Sequence, residues 1–322
     1  MLFQPSQAKP FHCRLSPKHQ QGVVIVVALF IVALVATMAY GMMTRLERDT
    51  RRTSLILRDT QAEFYAQGSI IWALDQLRSN WEKQKPNQVV DPLPIRSPVI
   101  DVNGYKITST IYDMQGRFNL NNLVNTDAQA DFKRLLQTVD PKLSEEKRQQ
   151  IVKGIVDWIT PGQQHNEFNQ FYLELAAPYR AAHRPFFSIS ELRLVKGVTP
   201  ALFNALQPYI TALPVATLVN IQTAPAPVLM TLSPTLTLDT ARAIEQVRAR
   251  TPIVTAQQFI ELDIVKNHHI AADKITVKSG YFLIETTVAI EKQQALLYTL
   301  VERTAKDNKA KMTLLWQSKG EW

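Results

Sequence analysis

The sequence predicts an α+β protein with a long N-terminal α-helix, a small antiparallel sheet and a large inserted all-α domain. Three observations predict this fold. An uncharged apolar stretch covers residues 22–44 of the 322-residue chain. Segments rich in Val, Ile, Thr and Tyr lie near residues 100–112 and 274–317, and such segments favour strands. The region between them has the apolar spacing of amphipathic helices.

The apolar segment, residues 22–44, is long enough to cross a membrane. About 22 residues at 1.5 Å each reach ~33 Å, against a hydrocarbon core of ~30 Å. Lys9, Arg14 and Lys18 precede it, so the positive-inside rule places the N-terminus in the cytoplasm and the remainder outside. No second stretch reaches this length. The sequence therefore predicts a single-pass membrane protein.

Three interpretations of this segment stay open. A Sec signal peptide would be cut near residues 37–39, but the apolar run is longer than the usual range of about 7–15 residues. An uncleaved signal anchor is the second interpretation. The third is a prepilin, because a basic, hydrophilic leader ends in Gly22 and the apolar run follows directly. Type IV prepilins are processed at such a junction, on the cytoplasmic side.

The helical pattern continues after the membrane segment. Residues 45–81 contain no proline. Apolar residues recur there on one helical face, at Ala66, Ile70, Ala73, Leu77 and Trp81. Prolines at 86, 92, 94 and 98 end the pattern. One helix over about 23–83, ~90 Å long, is typical of a type IV pilin, and the alternative is a membrane helix followed by a separate amphipathic one.

Strand and helix signals follow along the chain. Asn103-Gly104 lies between two β-branched runs and predicts a hairpin turn. Later segments at 274–290, 295–303 and 311–317 predict strands. Residues 144–158 form a strongly amphipathic helical run. Within the chain we therefore expect strands on both sides of a helical insertion.

Two similar capping patterns predict further helix starts. Ser188 and Thr255 each follow a proline by three residues and are followed, three residues later, by Glu191 and Gln258. The hydroxyl accepts a hydrogen bond from one free helix amide, and the Glu or Gln side chain accepts from another. The patterns lie 67 residues apart, which indicates either a duplicated helical unit or chance use of a common cap.

Glycine and cysteine positions exclude several enzyme classes. The ten glycines all lie at least eight residues apart. Phosphate-binding loops, dinucleotide fingerprints and nucleophile elbows need glycines at closer spacing. The single cysteine, Cys13, precludes a Cys-x-x-Cys site, and His-Glu-x-x-His is absent. We expect no enzymatic activity, although an active site without these motifs stays open.

Six segments, in order, match a known family. They are Gly22–Phe30, Gly116–Leu123, Ile155–Trp158, Pro178–Pro185, Ser190–Pro200 and Val219–Ala224. On these residues the chain resembles the protein K family of bacterial type II secretion systems, the large minor pseudopilins. The expected domains are a leader peptide at 1–22, a transmembrane helix at 23–44, a discontinuous pilin-like domain at 45–120 and 275–322, and a helical insertion at 121–274.

The resemblance implies processing, location and partners. A prepilin peptidase would cut after Gly22 and methylate the new N-terminus, Val23. The chain would be anchored in the inner membrane of a Gram-negative bacterium, with its C-terminal domain in the periplasm. It would join two smaller minor pseudopilins and the major pseudopilin, at the tip of a filament that exports folded proteins across the outer membrane.

Position 27 supports this particular family. Most pilins and pseudopilins carry Glu at the fifth mature residue, where its carboxylate meets a neighbour's N-terminal ammonium. The corresponding residue is Val27, and protein K is the family member that lacks this Glu. A subunit at the tip has no neighbour above it, and an unpaired carboxylate in lipid is costly. The resemblance therefore implies an apolar residue and a place at the tip.

Calcium is the one cofactor that the resemblance raises. Family members often bind calcium through an acidic loop after the Asp-Trp motif, and calcium takes about six to eight oxygen ligands. Asp157 and Glu167 are the only carboxylates of that loop here. They are therefore weak calcium candidates, and we expect no metal site. His268 and His269 could suggest a metal, but we expect them in a solvated loop.

DNA binding is the alternative function from another class. Residues 219–226 and the following helices look like a helix-hairpin-helix unit of a membrane-anchored protein from a competence-like or type IV pilus system. Such hairpins offer the amides of a Gly-x-Gly turn to phosphate, but the turn at 233–237 has no glycine. Net charge is +8 without a long basic run. We therefore expect no nucleic-acid partner.

Overall fold

A computed structural model of the chain describes residues 21–83, 93–162, 167–291, 293–306 and 309–320. The helices are α1 (Gln21–Glu82), α2 (Thr126–Val139), α3 (Glu145–Ile159), α4 (Glu167–Leu173), α5 (Pro200–Leu206), α6 (Ala226–Leu229), α7 (Leu238–Arg250) and α8 (Ala256–Ile260). The strands are β1 (Ile95–Arg96), β2 (Ile100–Val102), β3 (Tyr105–Asp113), β4 (Phe118–Asn119), β5 (Ile210–Thr211), β6 (Val219–Asn220), β7 (Ile275–Thr276), β8 (Tyr281–Ile290), β9 (Gln293–Lys306) and β10 (Lys309–Lys319).

The predicted N-terminal helix is confirmed as the single helix α1. Residues up to 60 form one unit of the chain, and residues 61–322 form a second. In the first unit, the apolar residues from Val23 to Val35 are exposed. An 18-residue window of α1 has a mean hydropathy of 2.9 and is not buried at all. By length and composition, this helix can therefore cross a membrane.

The sheet has the antiparallel order β1-β3-β8-β9-β10, and β2 also pairs with β3. The predicted hairpin turn is confirmed, since Asn103 and Gly104 connect β2 to β3 with φ values of 53° and 82°. Two positive φ values in sequence match the right-handed twist of the flanking strands. The later strand predictions are confirmed by β8, β9 and β10, which pair in succession.

Within the second unit, α1 covers one face of the sheet. The helix contributes small or apolar residues that are all buried, namely Ala62, Ala66, Ile70, Ala73 and Leu77. The sheet contributes Ile107, Ile111, Phe282, Ile284 and Val301 to the same core. At the end of α1, the Arg303 guanidinium lies 5.0 Å from the Trp81 ring and donates to the Leu77 carbonyl at 3.4 Å. These contacts hold the last turn of the helix on the sheet.

Two helical lobes lie between β3 and β8. The first lobe, residues 118–212, has a core built around Phe132, Leu136, Ile155, Trp158, Tyr172 and Phe203. The second lobe, residues 219–275, has a separate core built around Ile221, Leu229, Ile244, Phe259 and Ile275. A short parallel strand pair closes each lobe, β4 with β5 and β6 with β7. The insertion boundaries at 121 and 274 stay predictions.

The caps agree with the sequence patterns, with two differences in detail. Ser144 caps the predicted helix α3, and Thr255 caps α8 by accepting from the Gln258 amide at 3.0 Å. The Ser188–Glu191 capping box is present, but it begins a 3₁₀ helix, Ile189–Leu194, instead of an α-helix. At the second pattern, Gln258 Oε1 accepts from the Val254 amide instead of the Thr255 amide. Its capping box is therefore displaced by one residue.

Candidate functional site

The residues predicted to direct processing lie in the first turns of α1. Gly22 belongs to the helix, and a Cβ built on it would meet nothing within 4 Å. Neither packing nor a left-handed backbone therefore requires glycine at this position. Val23 and Val27 lie one turn apart and are exposed in the isolated chain. Residues 1–20 of the predicted leader lie outside the described residues.

The part of α1 that packs on the sheet also has an exposed apolar side. Phe64 and Ile71 are 68% and 70% exposed. They are seven residues apart, so they share a helical face. Gly68 lies between them on that face, and a Cβ added to it would meet nothing within 4 Å. We call Phe64, Gly68 and Ile71 the outer face of α1. It points away from the buried side that Ala66 and Ala73 define.

Buried amide side chains attach the first lobe to the segment that leaves it. Asn121 is 6% exposed. Its Nδ2 donates to the Leu213 carbonyl at 2.8 Å and the Phe186 carbonyl at 3.0 Å, and its Oδ1 accepts from the Phe186 amide at 2.8 Å. Since a buried amide must be hydrogen-bonded, Asn121 fixes two remote backbone segments at once.

The neighbouring asparagines extend this attachment. Asn119 Nδ2 donates to the Val215 carbonyl at 2.8 Å, and its Oδ1 accepts from the Leu213 amide at 3.1 Å. Asn122 Nδ2 donates to the Thr217 carbonyl at 2.8 Å, and its Oδ1 accepts from the Thr217 amide at 3.0 Å. Each side chain thus bonds to a backbone that would otherwise lack sheet or helix partners.

A buried carboxylate attaches the second lobe. Asp113, at the end of β3, accepts from the Gln115 amide at 2.8 Å, from Asn220 Nδ2 at 2.7 Å and from Thr223 Oγ1. Burial raises the pKa of Asp113 above its usual range, and these hydrogen bonds partly oppose the rise. Beside it, a Cβ on Gly116 would lie 2.5 Å from Thr223 Oγ1. Only glycine therefore allows this close approach.

The calcium candidates lie at the end of α3 and the start of α4. Asp157 is buried in the last turn of α3, and Glu167 begins α4. Residues 163–166 and the Glu167 side chain lie outside the described part of the chain. His183 Nδ1 donates to the Asp157 and Thr160 carbonyls at 3.2 and 3.3 Å, so it caps this helix end. Across the described residues, no group of three or more His, Cys, Asp or Glu could hold a metal.

The hairpin that suggested DNA binding connects the second lobe's helices. Ser233 Oγ donates to the His268 carbonyl at 2.6 Å, and Thr235 Oγ1 lies 2.9 Å from His268 Nδ1. His268 ends a short 3₁₀ helix, Lys266–His268, is half-buried and contacts the turn, so the solvated loop expected for both histidines is wrong for this one. His269 is exposed and has a left-handed backbone with φ 49°. Asp239 lies in the first turn of α7, where its charge would repel a phosphate.

Both lobes of the insertion are similar in sequence to known proteins. Family models described as type II secretion system protein K match residues 116–215 and 219–278. Type II secretion system protein K from Pseudomonas aeruginosa is 30% identical over 313 residues, covering 91% of each chain. The chain belongs to the type II secretion system protein K family. The family that the sequence motifs predicted is thereby confirmed.

Another protein K relative and a solved structure are also similar to this chain. The protein from Klebsiella pneumoniae is 30% identical over 293 residues, covering 84% of this chain and 89% of the relative. A chain in the crystal structure of the GspK–GspI–GspJ complex of enterotoxigenic Escherichia coli superposes with a TM-score of 0.71 at 22% identity. The match covers 84% of this chain and all of that one. The predicted fold class, an N-terminal helix, an antiparallel sheet and a helical insertion, is confirmed.

From the sequence we expect apolar residues on the exposed part of the 45–83 helix to contact two smaller pseudopilins. The sequence pattern does not identify which residues form this outer face of α1, because the periodicity indicates only the side that is buried. The sequence nevertheless contains an indication of this face, since Phe64 and Ile71 are large apolar residues that lie outside the buried face of the helix. The roles of Asn119, Asn121 and Asn122 were also missed, although three amides within an apolar run indicate buried polar contacts.

Proposed function

We propose that the chain is a minor pseudopilin at the tip of the type II secretion pseudopilus, without an enzymatic role. The observation that supports the proposal is the outer face of α1. Phe64 and Ile71 are exposed there, on the helix whose opposite side packs on the sheet. Large apolar side chains aligned on one exposed face are typical of an interaction surface. Gly68 between them lets a partner helix come close.

The partners proposed for this face are two smaller minor pseudopilins. The shared fold with a chain of the GspK–GspI–GspJ complex supports counterparts of GspI and GspJ as those partners. The major pseudopilin would follow below them in the filament. Residues 23–44 of α1 would lie in the inner membrane, which the mean hydropathy of this helix supports, and residues 45–322 would lie in the periplasm. The filament would then export folded proteins across the outer membrane.

Co-purification of the full chain with its GspI and GspJ counterparts tests the partner surface. We expect the double variant Phe64→Glu and Ile71→Glu to reduce recovery of both partners at least about tenfold, because an unpaired charge is costly in an apolar contact. Leu173→Glu is the matched control, since Leu173 is 50% exposed at the end of α4. Unchanged recovery, or an equal loss with the control, would overturn this surface.

The processing proposal is tested by the mass and N-terminal residue of the membrane-extracted protein. We expect cleavage after Gly22 and a methylated Val23. Gly22→Phe should block cleavage, whereas Gly41→Phe should not, because Gly41 is a helical glycine with equally open surroundings. A mature chain that starts at Met1 or Tyr40 would instead indicate a signal anchor or a Sec signal peptide.

Placement at the tip is tested by labelling this protein along sheared filaments. A label confined to one end supports the proposal, and an even distribution in many copies contradicts it. Val27→Glu should leave membrane insertion largely intact, since one acid costs only about 3 kcal/mol even at the centre of an apolar span and less near its end. It should change placement, because the new carboxylate can pair with the N-terminus of another subunit.

A further inference from the structure

A cleft of about 470 Å³ lies between the two helical lobes. The first lobe lines it with Phe118, Val124 and Ala128, and the second lobe with Leu232 and Ala271. This volume falls within the ~300–1,000 Å³ that is typical of ligand pockets. The cleft belongs to the helical insertion, so what it binds does not depend on the placement proposed for the filament.

An ion-pair network holds the floor of the cleft in place. Asp131 of α2 accepts from Lys274 Nζ of the second lobe at 3.0 Å and pairs with Arg134. Arg134 also donates to the Thr231 carbonyl of the second lobe at 2.7 Å. Asp131 is only 8% exposed, and contacts to partly buried charges are stronger than those at an open surface. The two walls are therefore fixed before any ligand binds.

The rim of the cleft combines exposed acids with exposed apolar side chains. Asp127 lies one helical turn before Asp131, and Asp273 is adjacent to Lys274; both are exposed and both line the cleft. Val124 and Leu218, also lining residues, are 62% and 43% exposed. The lining side chains include three aspartates and one lysine. Their net charge favours a cation, and the apolar wall favours a hydrocarbon chain.

We propose that this cleft binds a protein segment that carries a lysine or arginine flanked by apolar residues. The methylene stem of such a side chain would pack on Val124 and Leu218, and its cationic group would lie between Asp127 and Asp273. Long basic side chains bury their stems in this way while the charged end stays among polar groups. The acids also exclude anionic ligands, because Asp127 and Asp273 would repel them.

Titration of the full chain in detergent micelles with short peptides tests the cleft. The probe is acetyl-Ala-Leu-Lys-Leu-Ala-amide, compared with the same peptide carrying Glu in place of Lys, and methyl signals of Val124, Leu218 and Ala271 report binding. We expect saturable shifts with the Lys peptide and at least about fivefold weaker binding of the Glu peptide, which corresponds to about 1 kcal/mol. Binding should weaken as salt is raised.

Asp127→Asn together with Asp273→Asn should reduce affinity for the Lys peptide about five- to tenfold, since each exposed ion pair contributes up to about 1 kcal/mol. Asp239→Asn is the matched control, because Asp239 is an exposed acid in the first turn of a helix outside the cleft. Equal binding of both peptides, shifts on the membrane segment instead of the cleft, or no saturable shift would overturn the proposal. So would a double variant that binds as well as the control.

Discussion

The two sides of the central sheet are attached to the rest of the second unit in different ways. On one side, α1 packs through alanines and leucine, with Ala73 and Leu77 fully buried. On the other side, the only cluster of buried apolar residues among those described is small, and the insertion contributes Leu213 to it. Buried polar groups supply the rest of this attachment. Asn121 bonds to the backbone of Leu213, whose side chain joins this cluster, and Asp113 at the end of β3 bonds to Asn220 of the second lobe.

This difference separates two structural requirements. An apolar interface such as α1 on the sheet tolerates exchange of one apolar residue for another of similar volume. A buried amide or carboxylate needs its own partners at fixed positions, because removal of one partner leaves the other buried without a hydrogen bond, at a cost of about 1–3 kcal/mol. The insertion is therefore positioned by specific hydrogen bonds, whereas α1 is stabilised mainly by buried volume.

Leu77→Ala tests the apolar interface and should have the largest effect. Leu77 is fully buried between α1 and the sheet, so the variant loses transfer free energy and leaves a cavity. We expect the free energy of unfolding to fall by about 4 kcal/mol, measured by urea titration of the full chain in detergent. Ile71→Ala, on the exposed side, should cost less than about 0.5 kcal/mol. Equal effects would show that the helix packs differently.

Asn121→Ala tests the polar attachment of the first lobe. The variant removes two donated bonds and one accepted bond, and leaves the Phe186 and Leu213 backbone groups buried without them. We expect a loss of about 3 kcal/mol in the same unfolding measurement. Asn204→Ala, at an exposed position of α5, should change stability by less than about 0.5 kcal/mol. A loss below about 1 kcal/mol for Asn121→Ala would contradict a polar attachment.

The sequence was a good guide to elements with a strong period. The face with Ala66, Ile70, Ala73 and Leu77 was predicted because helical spacing alone determines which side chains lie together. The hairpin at Asn103-Gly104 was predicted because its turn needs positive φ values. Both features depend on neighbours within a few residues, which is the range that a periodicity argument covers.

Features that depend on distant partners could not be predicted in this way. Asn121 bonds to backbone 65 and 92 positions away, and the parallel pairs β4–β5 and β6–β7 join segments separated by the lobes they close. The Gly116 motif was noticed only as a family resemblance. Its physical reason, the contact with Thr223, requires the folded chain. The exposure of Phe64 likewise could be established only from the folded chain, because it depends on which residues of α1 are buried against the sheet.

Asp113→Asn tests the polar attachment of the second lobe through its pH dependence. Burial raises the pKa of Asp113 in the folded state, whereas the unfolded pKa is about 3.9. The folded state therefore binds the proton more tightly, and this contribution to stability is present below the unfolded pKa and is lost as pH rises through the folded pKa.

The difference in unfolding free energy between the wild type and Asp113→Asn measures this effect. We expect the wild type to lose stability relative to the variant as pH rises from about 4, in urea titrations at several pH values. This difference could instead stay constant, or the wild type could gain stability relative to the variant as pH rises. Either result would mean that the hydrogen bonds from Asn220 and Thr223 to the Asp113 carboxylate outweigh the cost of its burial.

Calcium should have the smallest effect of all. Asp157 is buried at the end of α3, where His183 caps the helix by hydrogen bonds to carbonyls, and the loop offers one further carboxylate, Glu167. Calcium prefers several charged oxygens, and the neutral Thr, Gln and Asn of this loop are weaker ligands. A bound calcium ion, at a free calcium concentration about 100 times its Kd, would stabilise the fold by about 2.7 kcal/mol, or several degrees in Tm.

We expect exchange of EDTA for calcium to move Tm by less than about 1 °C. A rise of several degrees with calcium but not with magnesium, lost in Glu167→Gln, would instead establish a site in this loop and add a third kind of attachment to the two compared above.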